Sequence, residues 1–216
     1  MAYDLEEQEQ IDTIKAWWGK YGNLISWVLI VVLGAYAGWS IWNTMQQKNV
    51  SKAGLLFEQM QQAASDKDNA KVQRAASDIQ EQYGKTVYGE MSGLTAAKVA
   101  YDANDLKEAK AQLQAVIANG EDDEYKTVAK VRLAGILLDE KSYDEGLKLL
   151  AGEFPAQFEA MVADRKGDLL VAQNKIAEAR VAYQTALDKT DQKNPGRQLI
   201  QAKLDAIGGA TAKAAA

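Results

Sequence analysis

A pattern of small and large apolar residues returns four times between residues 63 and 183, and no other feature narrows the fold as much. Small residues stand at Ala75, Ala109, Gly146 and Ala179, at spacings of 34, 37 and 33 residues. A second small residue lies twelve positions before each of them, at Ala63, Ala97, Ala134 and Gly167. Large apolar residues keep the same register: Val72, Leu106, Tyr143 and Ile176 lie three positions before the first set, and Ile79, Leu113, Leu150 and Tyr183 four after it. Each copy therefore holds two amphipathic helices separated by a short polar turn. Small residues let the two helices approach closely, and large ones fill the space between neighbouring pairs. One pair cannot bury its own apolar face, so the copies must stack into a solenoid.

A period near 34 residues with a helix–turn–helix in each copy is that of the tetratricopeptide repeat, and the expectation is an all-α fold. Asn104-Asp105, Ser142 and Asn174 fall at the hairpin turns, where short polar side chains cap the following helix. "NGEDDEY" separates the second copy from the third and "GEFPAQFE" the third from the fourth. Asn194-Pro195-Gly196 ends the last copy, and "RQLIQAKLDAI" reads as a closing helix over the exposed end of the stack. The expected organisation is a tail over 1–23, a membrane helix over 24–42, repeats over 43–207 and a frayed tail over 208–216. The first helix of each pair lines the inner face of such a stack. By repeat register that face holds Met60, Leu94, Lys98, Tyr101, Val131, Leu138, Asp164, Asp168 and Val171, a mixed surface able to hold a segment of a partner.

Before the repeats stands "LISWVLIVVLGAYAGWSIW", nineteen residues from 24 to 42 without a charge. At helical rise this covers about 28 Å, close to the hydrocarbon thickness of a bilayer. Trp17 and Trp18 precede it and Trp39 and Trp42 close it, as two interfacial belts would require. The alternatives are a signal peptide cut after Ala35-Tyr36-Ala37 and a buried helix of a soluble fold. A signal peptide needs a basic leader, whereas the first 23 residues carry five acids and only Lys15 and Lys20. Lys15 and Lys20 on one side balance Lys48 and Lys52 on the other, so charge leaves the orientation open. Gly34 and Gly38 clear one face of the span for another helix. Ile11, Ile14, Trp18 and Tyr21 recur at helical spacing, as in a short helix lying on the membrane surface.

The remaining composition removes whole classes of chemistry. There is no Cys and no His, hence no disulfide, no thiolate nucleophile and none of the commonest acid–base or metal-ligating side chains. A formal charge of −5 with both signs interspersed argues against nucleic acid as a partner. "EDDE" at Glu121 to Glu124 falls in an inter-repeat turn and reads as a solvated loop. "DKDNAK" from Asp66 begins like a calcium loop, but Lys71 and Ser77 occupy its glycine and closing glutamate positions. No catalytic residue, metal site or cofactor is expected, and the chain does not read as an enzyme.

The anchor ending in "GWSIWN", followed by "YGEMSGLTAAKVAYDANDLKEAKAQLQAVI", "VAKVRLAGILLDEKSYDEGLKLL", "RKGDLLVAQNKIAEARVAYQTAL" and "LIQAKLDAI", resembles the YfgM family of ancillary subunits of the bacterial Sec translocon. The resemblance implies a single-pass protein of the bacterial inner membrane, with a cytoplasmic N-terminus and a periplasmic repeat domain. It implies as partners the SecYEG channel, a PpiD-like membrane-anchored chaperone, membrane lipid and translocating polypeptides, and a chaperone-like adaptor role. The alternative is a membrane-tethered repeat receptor for another envelope-biogenesis assembly.

Overall fold

A computed structural model of the chain describes residues 5–209, with side-chain surroundings from residue 9 onward. The frayed-tail expectation for 208–216 falls, from residue 210 on, outside the described residues. Nine α-helices and one 3-10 turn make up the described chain. They are α1 (Leu5–Ser65), α2 (Asn69–Tyr83), α3 (Val87–Asp102), α4 (Leu106–Asn119), α5 (Asp123–Asp139), α6 (Tyr143–Leu149), α7 (Glu159–Ala172), α8 (Ile176–Lys189) and α9 (Gly196–Ala206). The 3-10 turn, Ala156–Phe158, lies inside the long connection before α7. The chain divides into two compact units, Met1–Asn49 and Val50–Ala216. Helix α1 passes without interruption through positions 23/24 and 42/43, where the sequence suggested changes of character.

In the second unit the helices pair as the repeat demands: the end of α1 with α2, α3 with α4, α5 with α6 and α7 with α8. Helix α9 packs on α8, and α3, α5 and α7 touch in succession, so first helices of neighbouring pairs lie side by side. All four small residues of the first helices are buried: Ala63, Ala97, Ala134 and Gly167. Val72, Ile79, Leu113, Leu150 and Tyr183 are buried between pairs, whereas Leu106, Tyr143 and Ile176 are half-buried at the edges. In α2 it is Ala76, not Ala75, that is fully buried. Ala63, Val72 and Ile79 of the same pair keep the register, so the departure is confined to that one position of α2.

The hairpin turns are built identically, and this explains the repeat better than any one core contact. Lys67, Asn104, Lys141 and Asn174 have φ of 58°, 63°, 63° and 60°. Each left-handed residue donates its N–H three residues back, and the next residue donates five back: Asn104 to Tyr101 and Asp105 to Ala100, Asn174 to Val171 and Lys175 to Leu170. This pair of bonds is the Schellman ending of a helix, and it recurs at Gly208 after α9. Asn104 and Asn174 therefore supply the turn rather than the cap. Asp105 does cap α4, accepting from Glu108 N at 3.0 Å, and Asp68 caps α2 in the same way. Ser142 sits at the cap of α6 without a side-chain bond.

Lysine is poorly suited to a left-handed residue because its Cβ crowds the following carbonyl, and asparagine tolerates the conformation better. Lys141→Asn is expected to raise stability by on the order of 0.5 kcal/mol, read as a higher urea midpoint with unchanged slope.

The first unit is a helix without a core. Between residues 24 and 42 every side chain but those of Ile25 and Ser40 is exposed. The stretch is long and apolar enough to cross a membrane, and none of it is buried against protein. Trp17, Trp18, Trp39 and Trp42 are all exposed, with Trp18 and Trp39 about 32 Å apart along the helix. Trp17 packs on Tyr21 at 5.7 Å between ring centroids, and Tyr36 on Trp39 at 6.1 Å. Apart from the chain neighbours and the helix's own backbone, no described atom lies within 4 Å of where a Cβ at Gly34 or Gly38 would stand, so the face the two glycines clear is open.

Candidate partner-binding face

Adjacent first helices α3, α5 and α7 leave a groove of about 400 Å³ between them. Lys98, Tyr101 and Asp102 of α3 form one wall. Arg132, Gly135 and Asp139 of α5 form the base, and Arg165 of α7 the far side. Tyr101, 45% exposed, presents its ring to solvent, and its hydroxyl donates to Asp139 Oδ2 at 3.0 Å. That bond and the charge of Asp139 hold the Tyr101 phenol above its ordinary range. Lys98 pairs with Asp102 one helical turn on, at 2.5 Å. Arg132 donates Nη1 to Leu94 O at 3.1 Å, fastening α5 to α3.

Of the nine residues expected on the inner face, only Lys98 and Tyr101 line this groove. Met60, Leu94 and Val131 are core residues. Met60 packs with Phe57 and Ile79, Leu94 with Leu113 and Leu133, and Val131 with Leu150 and Leu169. They stand three positions before the small residue of their helices, and that position faces the neighbouring helix. One residue further on, a rotation of about 100°, the chain reaches the groove, and there lie Arg132 and Arg165. Leu138 and Val171 are half-buried against the edges of apolar clusters.

Asp164 and Asp168 serve the closing helix instead of a partner. Lys203 of α9 reaches Asp164 Oδ1 and Asp168 Oδ1, both at 2.8 Å, and lies 5.7 Å above the ring of Tyr183. Tyr183 donates its hydroxyl to Asp168 Oδ1 at 2.8 Å. Burial and the Asp168 bond push its phenol far above the usual range. The other Asp168 oxygen holds Arg165 Nη1 at 3.2 Å. One carboxylate thus joins the groove arginine to the cap of the stack. The sequence could not have shown this, because Lys203 lies 39 residues from Asp164.

A second carboxylate fixes the spacing of neighbouring pairs. Glu90, in the first turn of α3, is 6% exposed, and its Oε1 accepts from Glu121 N at 2.5 Å and Asp122 N at 2.9 Å. It therefore closes the loop that starts α5, a repeat away. Glu90→Ala would leave two N–H groups without this charged acceptor and is expected to cost about 2–3 kcal/mol. Glu90→Gln, which keeps an acceptor oxygen, should cost less than half of that in urea unfolding.

The sequence matches the family described as a tetratricopeptide repeat-like domain over residues 15–209, which takes in the end of the tail, the apolar stretch and all four pairs. Over 208 residues it is 31% identical to a Neisseria gonorrhoeae protein named ancillary SecYEG translocon subunit, spanning 96% of this chain and 100% of the relative. The chain belongs to the ancillary SecYEG translocon subunit family. A relative of the same name in Escherichia coli is 28% identical over 92% of this chain and 95% of its own length. One in Haemophilus influenzae is 25% identical over 95% and 99%. In this family member the likeness thus runs through the apolar stretch and the repeats together, as the order of segments in the sequence suggested.

Proposed function

We propose that the chain is a single-pass inner-membrane adaptor of the Sec translocon, with its N-terminus in the cytoplasm and its repeats in the periplasm. There it holds segments of polypeptides emerging from SecYEG and passes them to folding factors such as a PpiD-like chaperone. The observation that carries this reading is the end-to-end similarity to relatives named as translocon subunits, with the apolar stretch included in the match. An anchor confines the repeats beside the channel and raises their effective concentration there, so weak contacts suffice. Lys98 and Tyr101 on the groove are the proposed partner contacts among the residues chosen from the sequence. Gly34 and Gly38 offer the span a close helix neighbour, and the four tryptophans seat it in the two interfaces. Such a role needs no catalytic group, metal or cofactor.

Purification of the tagged chain from membranes in mild detergent is expected to bring SecY with it. Recovery of another envelope assembly without SecY would replace this reading with the tethered-receptor alternative. Because the chain lacks cysteine, a single Lys193→Cys variant reports orientation without background. Labelling by a membrane-impermeant maleimide is expected from the periplasmic side of intact cells, and protection there would reverse the assigned topology.

A further inference from the structure

We infer that the groove between α3, α5 and α7 binds a small zwitterion of the phosphoethanolamine class, with its phosphate at Arg132 and Arg165 and its ammonium at Asp139. This goes beyond the adaptor reading and does not rest on it. Most charges around the groove are answered within the protein. Lys98 pairs with Asp102, and Arg165 with Asp168. Two charges are left over, one of each sign. Arg132 donates to Leu94 O and, among the described residues, meets no carboxylate. Asp139 accepts from the neutral Tyr101 hydroxyl through Oδ2 and, among the described residues, meets no cation within ion-pair distance. The two cations lie close to one another. Arg165 Nη2 stands 3.6 Å from where a Cβ at Gly135 would be, and Gly135 is one turn along α5 from Arg132. Its partner Asp168 is also engaged by Tyr183 and Lys203, so no carboxylate comes between the two guanidinium groups.

A single guanidinium fork satisfies a carboxylate, whereas a phosphate has oxygens enough for two. A phosphate over Gly135 therefore relieves the repulsion between Arg132 and Arg165. Asp139 stands one further turn along α5, about 6 Å from Gly135 along the helix axis. Two carbons between phosphate and ammonium bridge that step. The ammonium then meets Asp139 Oδ1, the oxygen Tyr101 leaves open. The Tyr101 ring, 45% exposed, offers it an aromatic face as well. Ile136 and Leu113 give the carbon linker an apolar floor. Gly135 keeps the middle of the groove clear, where the same register position carries Lys98 in the preceding pair and Asp168 in the following one. A ligand with one charge leaves the other end of the groove unanswered, so the site selects for both charges together.

The test uses the full-length protein in nanodiscs of phosphatidylglycerol, which bring no ammonium headgroup of their own. Isothermal titration with free phosphoethanolamine is expected to show one saturable site with Kd below about 10 mM. Inorganic phosphate alone and ethanolamine alone should each bind about tenfold or more weaker. Arg132→Gln should weaken phosphoethanolamine about tenfold and leave ethanolamine unchanged. Asp139→Asn, which keeps an acceptor for Tyr101, should weaken phosphoethanolamine about tenfold and leave phosphate unchanged. Gly135→Leu should abolish binding without removing a charge. A monomeric short-chain phosphatidylethanolamine identifies the source. Binding at least tenfold tighter than the free headgroup makes a lipid the ligand, and equal or weaker binding makes it the free zwitterion. Phosphate binding as tightly as phosphoethanolamine would overturn the inference in favour of a plain anion site, and ethanolamine doing so in favour of a plain cation site. No saturation by phosphoethanolamine below about 10 mM would also overturn it. These comparisons are made on the wild-type chain, so they decide even if a variant fails to fold. Unaltered binding by all three variants with wild-type helix content would place any bound zwitterion elsewhere and overturn the assignment to this groove.

Discussion

Leu29→Arg combined with Leu33→Arg is expected to move the full-length chain from the carbonate-resistant pellet to the supernatant. Both leucines lie on one face near the middle of the apolar stretch, and both are exposed, at 53% and 63%. Among the described residues no protein group covers them, so their environment is set by whatever surrounds the helix. In a bilayer each arginine at that depth costs about 2.5–3.5 kcal/mol on the insertion scale, and together about 5–7 kcal/mol. Each leucine lost also removes a few tenths of a kcal/mol of favourable transfer. Among the described residues no second helix is long and apolar enough to cross a membrane and hold it in place. Leu29→Ile with Leu33→Val keeps the transfer free energy and should stay in the pellet. The repeat unit should keep its helix content and urea midpoint in both variants, since its cores are separate from these positions. Retention of the double-arginine chain in the pellet would mean that another element anchors it.

The repeat was legible because its cause is local. A Gly or Ala at positions such as Ala97 and Ala134 is required by the close approach of two helices, and the requirement returns with each pair. The candidate span was legible for the same reason, since nineteen uncharged residues carry their own solvent preference. The groove was legible only in part. Choosing the position three before the small residue returned Met60, Leu94 and Val131, all core. Position two before returns Arg132 and Arg165, and a difference of about 100° on a helix decides between them. Apolarity at the first position was itself the signal that it faces inward, and charge at the second that it does not. Asp164 and Asp168 were charged and so looked available. Their partners arrive from α8 and α9, and such pairings depend on how the last helix docks, which no periodicity encodes.

Gly167→Leu should unfold the last pair of the stack at far lower urea than wild type. Gly167 is the small residue of α7, and a Cβ built there falls inside the contact radius of the Tyr183 ring, 2.8 Å from its Cζ. That ring is 3% exposed and packed among Ala163, Ala186, Leu187, Ile200 and Leu204. It is a rigid body seated in a filled core, so it cannot step aside as the end of a flexible chain could. Overpacking alone costs about 1–3 kcal/mol. Displacing Tyr183 also breaks its hydroxyl bond to Asp168 and removes the ring beneath Lys203, so the total should reach about 4 kcal/mol. Gly167→Ala intrudes less and gains up to about 1 kcal/mol of helix propensity, which places it between wild type and leucine. Adding Tyr183→Leu to Gly167→Ala should recover part of the loss, and the coupling in a double-mutant cycle measures the contact directly. In a stack, each pair is held only by its neighbours. Hydrogen exchange should therefore show α8 and α9 losing protection in Gly167→Leu while α3 and α4 keep theirs. A Gly167→Leu chain with a wild-type midpoint would mean that α7 and α8 are further apart than the register requires, and the equivalence of Ala63, Ala97, Ala134 and Gly167 would fail at its last member.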